Sequence, residues 1–260
     1  MSPLRLLAGC LLGILSTTSV WAGDTKNAGW AHTLEGPIDT WIIFVSTPTD
    51  PWRWKERWMM IRLLKRAEKW IVYEQTQAMT SSSPIKFRNH RLTRWRNVER
   101  QALPAGTRSG TENVELVNDI LPNVGYVDSQ DFLRHHPTGQ HQMVLFLKRS
   151  GASYAIPQES DLSKRYDLEG IVLYQDFAPD TPQCASCIAH EILHVFGAWD
   201  FYPTFQTSQA QFDAARTRFP DSVMLRTSYQ EYELMIDPVT QWRVGWGPKP
   251  ADAESFTPSR

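Results

Sequence analysis

Two histidines and a glutamate stand together in the segment His190-Glu-Ile-Leu-His194, at a spacing that suits metal chemistry. On a helix, residues four positions apart lie one turn apart on the same face, so the imidazoles of His190 and His194 can bind one metal ion. Glu191 lies beside them, where its carboxylate can take a proton from water without binding the metal itself. The segment therefore predicts a hydrolytic site with Zn²⁺ as its cofactor.

The residues after this helix complete the predicted site. Gly197 permits the left-handed turn with which many helices end. Asp200 follows six positions after His194 and can return as a third ligand. Three protein ligands leave the fourth position of a tetrahedral zinc ion open, as a catalytic site requires. We therefore predict His190, His194 and Asp200 as metal ligands and Glu191 as the catalytic residue.

The extended pattern, with Asp200 as third ligand, resembles the metzincin clan of zinc peptidases in its snapalysin-like variant. Pro220-Asp-Ser-Val-Met224 is similar to the Met-turn that metzincins place below the metal, and residues 236–246 are similar to their closing helix. The likeness is specific over residues 170–246. Over residues 41–169 it rests only on the order of the elements.

This resemblance implies an α/β (α+β) fold with a mixed twisted sheet, long helices and a smaller C-terminal lobe. The implied catalytic domain covers residues 41–247, with an upper lobe at 41–197 and a lower lobe at 198–247. The implied activity is that of a metalloendopeptidase, with Glu191 as general base on zinc-bound water. A peptide or protein substrate would pair with an edge strand near residues 153–156.

The pattern leaves the residue that stabilises the oxyanion open. Some metzincins have a tyrosine two positions after the Met-turn methionine, where this chain has Arg226. We interpret Arg226 as a surface or structural residue rather than a cationic substitute. Tyr229 and Tyr232 are candidates without a spacing argument, and Phe201 and Tyr202 could form aromatic walls or simply pack.

Two alternatives to this function remain open. In a gluzincin-type peptidase, Glu233 would replace Asp200 as ligand, although Pro238 would end the required helix at once. Alternatively, the chain is a catalytically inactive metal-binding or peptide-binding protein of the cell envelope, because intact ligands do not prove turnover.

The N-terminus has the pattern of an export signal. Arg5 precedes the apolar run Leu6–Leu15, and Val20-Trp-Ala22 has small or β-branched residues at the positions that a signal peptidase recognises, which predicts a signal peptide at 1–22. The protein is then periplasmic or extracellular, with no membrane-spanning segment after cleavage. A lipoprotein anchored through Cys10 is the less favoured alternative. The net charge of −1 gives no indication of nucleic-acid binding.

The mature chain would keep two cysteines, Cys184 and Cys187, just before the zinc-site helix. In an exported protein their spacing favours a short-range disulfide or free thiols over redox chemistry. The other histidines match no metal spacing with one another, and we expect surface or loop positions for them; they are His32, His90, His135, His136 and His141.

Periodicity predicts the elements that must hold the site in place. The pattern predicts a long helix at about 52–78, with one apolar stripe formed by Trp54, Trp58, Ile61, Leu64 and Ile71. It also predicts helices at 111–121 and from near 182, and strands at 41–46, 143–148, 153–157 and 170–174, with a basic pair of strands within 86–100. The two ends of the mature chain are predicted to be a polar arm at 23–40 and a disordered tail at 248–260. The N-terminal half is basic and rich in tryptophan, which gives a further expectation of weak association with the cell envelope. The favoured alternative is that these residues form an ordinary solvated helix face.

Overall fold

A computed structural model describes residues 30–78, 83–92, 97–103, 110–156, 168–178, 180–203 and 207–257. The predicted signal peptide, the first part of the polar arm and Cys10 lie outside the described residues.

The centre of the fold is a mostly parallel sheet. Its strands are β1 (Pro37–Ser46), β2 (Lys86–Arg91), β3 (Val98–Glu99), β4 (Gln140–Ser150), β5 (Tyr154–Ile156), β6 (Gly170–Ala178) and β7 (Thr181–Pro182). The main order is β2-β1-β4-β6-β5, with β3 beside β1 and β7 beside β6. β1, β2, β4 and β6 run parallel, whereas β5 pairs antiparallel with β6 and lies at the edge. The sheet is therefore mixed, as the sequence predicted.

Six α-helices accompany the sheet. They are α1 (Trp54–Gln77), α2 (Gly110–Ile120), α3 (Ser129–His135), α4 (Ala185–Val195), α5 (Gln209–Arg218) and α6 (Pro238–Arg243), in the part of the chain that is described. Short 3₁₀ turns at Leu121–Val124, Glu231–Glu233 and Ala253–Phe256 complete the secondary structure.

Alternating side chains of the central strands build two separate apolar cores. Ile42 and Phe44 of β1 face one side of the sheet and join a core with α1, α4 and the C-terminal segment. Ile43 and Val45 face the other side and pack with α2 and α3. Both faces of β1, β4 and β6 are covered, which is why these strands are almost continuously apolar. Met224 belongs to the first core, so the C-terminal segment shares its core with the sheet.

The predicted strands agree with the structure in position, and three of them are longer. β6 continues to Ala178, β4 extends from Gln140 to Ser150, and β1 begins at Pro37. The polar arm was therefore wrong over 37–40, which belong to β1. Leu34 before it is fully buried, and its carbonyl accepts a hydrogen bond from the Trp246 indole at 2.6 Å.

The long helix was placed correctly, but its apolar stripe was wrong at one end. Ile61, Leu64 and Ile71 are buried, whereas Trp54 is 64% exposed and Trp58 is 54% exposed. At about 100° per residue, Trp54 and Trp58 lie roughly 80° and 120° around the helix from Leu64, so they turn away from the sheet. Met60, Ala67 and Trp70 take their places in the core.

The predicted disordered tail was also wrong over 248–257. Phe256 is buried, and its ring centroid lies 5.3 Å from that of Phe219 and 5.6 Å from that of Phe201. An ion pair between Arg218 and Asp252 holds the same segment against α5. The burial of Phe256 therefore orders a segment whose polar composition predicted disorder.

Among the described residues, no helix is both long and apolar enough to cross a bilayer.

Candidate metal centre

Helix α4 carries three of the predicted site residues and is buried along most of its length. Cys184 caps its first turn, where the Cys187 amide donates to the Cys184 sulfur at 3.1 Å, and the two cysteines form a disulfide. Apolar residues on both sides of His190 and His194 fix the helix between α1 and the sheet. Gly197 then adopts a φ of 94°, a left-handed conformation that a side chain would strain. The chain thereby leaves the helix directly beneath the two imidazoles.

The ligand atoms of His190, His194 and Asp200 form a small triangle. The two Nε2 atoms lie 3.0 Å apart, and Asp200 Oδ1 lies 3.2 Å from that of His190 and 3.0 Å from that of His194. Ligands about 2.0–2.1 Å from a tetrahedral zinc ion are separated by roughly 3.3 Å. The spacing therefore fits a zinc ion. In the part of the chain that is described, this is the one cluster of acidic, histidine or cysteine side chains compact enough to hold a metal ion.

The other nitrogens of both imidazoles are bound to backbone carbonyls. His190 Nδ1 donates to the Val223 carbonyl at 3.0 Å, and His194 Nδ1 donates to the Ala198 carbonyl at 2.9 Å. A carbonyl only accepts, so the proton of each neutral ring lies on Nδ1 and the lone pair of Nε2 points into the triangle. Two lone pairs and a carboxylate oxygen at such distances repel one another unless a cation lies between them.

The pKa shifts of the site residues also indicate that the cluster favours a positive charge at its centre. Burial opposes charge on the His194 imidazole, but the Asp200 and Glu191 carboxylates outweigh it and raise the pKa of His194 to about 9. Burial likewise opposes charge on Asp200, yet the two imidazoles hold its pKa far below the ordinary value. The cluster thus stabilises a cation at its centre, a requirement that Zn²⁺ meets.

Glu191 lies beside the triangle without joining it. Its side chain is buried, and this burial raises its pKa while the neighbouring imidazoles partly lower it. The Ala155 amide of β5 donates a hydrogen bond to its carboxylate. A glutamate held in this way next to a metal site suits a general base.

A tight turn around Met224 supports the triangle from below. Met224 is fully buried, its carbonyl accepts from the Phe201 amide at 2.9 Å, and Val223 supplies the carbonyl for His190. The turn is fixed by Ser222, whose hydroxyl donates to Asp237 Oδ2 at 2.7 Å. This turn therefore has a structural role, because Val223 holds His190 and Met224 holds the segment that carries Asp200.

Two residues of the site had no signal in the local spacing. Arg243 of α6 is buried, and its Nε donates to the Gly197 carbonyl at 2.7 Å. The Tyr202 ring lies parallel to His190 within 24°, at a centroid distance of 5.8 Å, and its hydroxyl bonds to Asp200. Burial raises the pKa of Tyr202 well above the ordinary value, so its hydroxyl remains a donor. Its place two positions after Asp200 was the only available hint.

The other oxyanion candidates lie elsewhere. Arg226 is bound to Asp221 and to the Pro220 carbonyl of its own turn, as expected of a structural arginine. The Tyr229 hydroxyl donates to the Pro182 carbonyl at 2.9 Å. Tyr232 is 72% exposed.

Glu233, the candidate ligand of the gluzincin alternative, and Asp237 four positions later both lie outside the metal cluster. Glu233 is exposed in a 3₁₀ turn and is not part of the metal cluster. Asp237 is fully buried and caps α6 by accepting from the Val239 and Thr240 amides, both at 2.9 Å.

The expectation of surface histidines was wrong for His141. It is buried, accepts from the Trp41 indole at 3.2 Å, and donates through Nε2 to the His136 carbonyl at 3.0 Å. A cavity of about 350 Å³ lies beside it, next to the first halves of β1 and β4 and the second half of β2, and is lined in part by Asp39 and His90. These side chains are already paired, since the Asp39 carboxylate binds both His90 and Arg88.

No protein-family model matches the chain, and no curated protein matches it.

Proposed function

We propose that the protein is an exported, zinc-dependent metalloendopeptidase that hydrolyses peptide bonds. The observation that carries the proposal is the triangle of His190, His194 and Asp200 next to the buried carboxylate of Glu191. The metzincin-like, snapalysin-like resemblance of the motif is part of the same proposal. The disulfide between Cys184 and Cys187 supports an oxidising compartment, periplasmic or extracellular.

The residues that would hold the zinc ion are His190, His194 and Asp200. Once bound there, zinc supplies a Lewis acid that lowers the pKa of water and polarises the scissile carbonyl. Glu191 takes the proton from the attacking water. It then passes this proton to the leaving amine, so the carboxylate is restored at the end of the reaction. The Tyr202 hydroxyl, which bonds to Asp200 in the free protein, would turn to donate to the oxygen on which negative charge develops.

The edge strand β5 gives the site a place for an extended peptide. It is the last strand in the order of the described sheet, and its Ala155 amide donates a hydrogen bond to Glu191. A substrate added to this edge by backbone hydrogen bonds would bring its scissile bond beside the base. This arrangement supports cleavage within a peptide chain.

The test is to measure zinc content and casein cleavage for the purified full chain, with and without a chelator, beside Glu191→Ala. We expect one zinc ion per chain in both proteins and activity only in the unsubstituted one. Zinc-free protein, or full activity in the Glu191 variant, contradicts the proposal. Bound zinc without cleavage of any peptide would instead favour the inactive metal-binding alternative.

A further inference from the structure

The exposed side of α1 presents an aromatic and basic stripe that the proposed peptidase chemistry does not use. We call it the α1 outer face. Its residues recur at spacings of four, four, three, four and four positions, so they lie along one side of the helix, and they are Trp54, Trp58, Arg62, Lys65, Lys69 and Tyr73. All six are exposed, including Trp54 at 64% and Trp58 at 54%.

The charge on this side of the helix has a single sign. Within α1, all of which the structure describes, no exposed residue is acidic. The three glutamates of the helix are occupied elsewhere: Glu56 binds Lys148, Glu68 accepts from Asn89, and Glu74 accepts from the Ile236 amide. Because the whole chain has a net charge of −1, this positive stripe is a local feature and not the result of a basic composition.

The two indoles belong to the positive stripe and not to the core. The Arg62 guanidinium stacks over the Trp58 ring with its carbon 4.5 Å from the centroid. This contact keeps a cation beside an aromatic surface that stays open to water. Trp54 and Trp58 belong to neither apolar core, and the exposure of their rings to water is unfavourable for the free protein.

We propose that the α1 outer face docks the protein on an anionic lipid surface. Indole rings prefer the interface between headgroups and hydrocarbon, and lysine and arginine are attracted to anionic headgroups. From Trp54 to Tyr73 the stripe spans roughly 29 Å along a straight helix, which matches a flat partner better than a narrow binding groove. The attachment is peripheral, and it does not depend on the metal site.

Vesicle binding by the folded protein tests this inference. The full chain is expressed, its N-terminus is determined by mass spectrometry, and its binding to phosphatidylcholine vesicles with and without phosphatidylglycerol is measured at low and high salt. We expect binding only to the anionic vesicles, and weaker binding at high salt. Absence of binding to the anionic vesicles overturns the proposal.

Two double variants locate the surface. Lys65→Gln with Lys69→Gln should weaken binding by about 25-fold, since each cation near an anionic surface contributes about 5-fold. Trp54→Ser with Trp58→Ser should weaken binding severalfold, by removing the interfacial aromatic area. Circular dichroism and zinc content confirm that each variant is folded, as expected for substitutions at exposed positions.

The control removes the same charge from other helices. Arg134 on α3 and Arg216 on α5 are exposed cations, and Arg134→Gln with Arg216→Gln should leave vesicle binding almost unchanged. Equal losses in the control and in the lysine variant would assign the binding to net charge and overturn the proposal. Binding to a soluble anionic polysaccharide without binding to the vesicles would overturn it as well.

Discussion

The Arg243 guanidinium donates a hydrogen bond from Nε to the Gly197 carbonyl at 2.7 Å, and it lies over the Trp199 ring with its carbon 4.2 Å from the centroid. This buried contact joins α6 to the turn that brings Asp200 back toward the histidines. The turn that carries Asp200, the predicted third ligand, is therefore in contact with a residue more than forty positions away along the sequence.

Replacing Arg243 with methionine tests the role of this contact. The variant keeps an apolar stem of similar length but leaves the Gly197 carbonyl without its buried donor, which costs about 1–3 kcal/mol of folding free energy. We expect zinc affinity to fall by about 10–100-fold, as for the loss of other outer contacts of metal ligands. Chelator competition and urea unfolding measure the two effects. Unchanged zinc affinity would show that Asp200 is held without Arg243.

Paired substitutions test which carboxylate binds the metal. Asp200→Ala removes one of the three ligands, and we expect a loss of zinc affinity larger than the 10–100-fold typical of outer contacts. Glu233→Ala is the matched control, because Glu233 is exposed and outside the metal cluster. The reverse pattern would establish the gluzincin alternative.

The Tyr202 hydroxyl can be tested without disturbing the ring. Tyr202→Phe keeps the aromatic contact with His190 and removes only the donor. We expect kcat for peptide cleavage to fall by about 100-fold, as for the loss of one oxyanion donor, with little change in KM or zinc content. If zinc affinity falls and kcat of the zinc-saturated variant is normal, the hydroxyl only positions Asp200.

A buried glutamate outside the metal site should make stability depend on pH. Glu169 is fully buried and accepts from the Trp30 amide at 2.8 Å and the Ala31 amide at 3.2 Å. Burial outweighs these hydrogen bonds and raises its pKa to about 8. The folded state thus retains a proton that the unfolded state loses above its ordinary pKa. Stability falls between about pH 4.5 and pH 8, by up to about 1.4 kcal/mol per pH unit from this group.

Glu169→Gln isolates that contribution, because the amide oxygen can keep accepting from Trp30 and Ala31. The difference in unfolding free energy between the two proteins should move in favour of the glutamine variant as pH rises from 5 to 8, which is the window given by the raised pKa. Urea unfolding at several pH values measures it. Parallel pH profiles for the two proteins would show that Glu169 is ionised in the fold.

The anchored C-terminal segment yields a further prediction. Phe256→Ala removes a buried ring from contact with Phe219 and Phe201 and should lower the unfolding free energy by about 3 kcal/mol. Lys249→Gln, which removes an exposed ion pair with Glu254 and a contact with the face of the Trp242 ring, should change it by less than about 1 kcal/mol. Urea unfolding compares the two variants, and equal stabilities would mean that the segment adds nothing to the fold.

The sequence predicted those features that depend on short spacing. His190 and His194 share a helix face, and the alternation or clustering of apolar residues located the strands and α1. Contacts between distant segments left no such pattern. The approach of Arg243 to Gly197, the burial of Phe256 and the pairing of His141 with Trp41 depend on how the elements pack. The exposure of Trp54 and Trp58 was not predictable from hydrophobic character, because a positive helix face can also carry indoles.

The hydrogen bond from the Ala155 amide to the Glu191 carboxylate would control when this carboxylate becomes free to act as a base. A peptide that adds to β5 needs the backbone donors of that edge, so it competes with Glu191 for this amide. Under the proposed function, the strand would hold the Glu191 carboxylate until a peptide arrives. A peptide that took this amide would free the carboxylate to turn to the attacking water. The strand that would receive the substrate would thereby also keep the base away from water in the free protein.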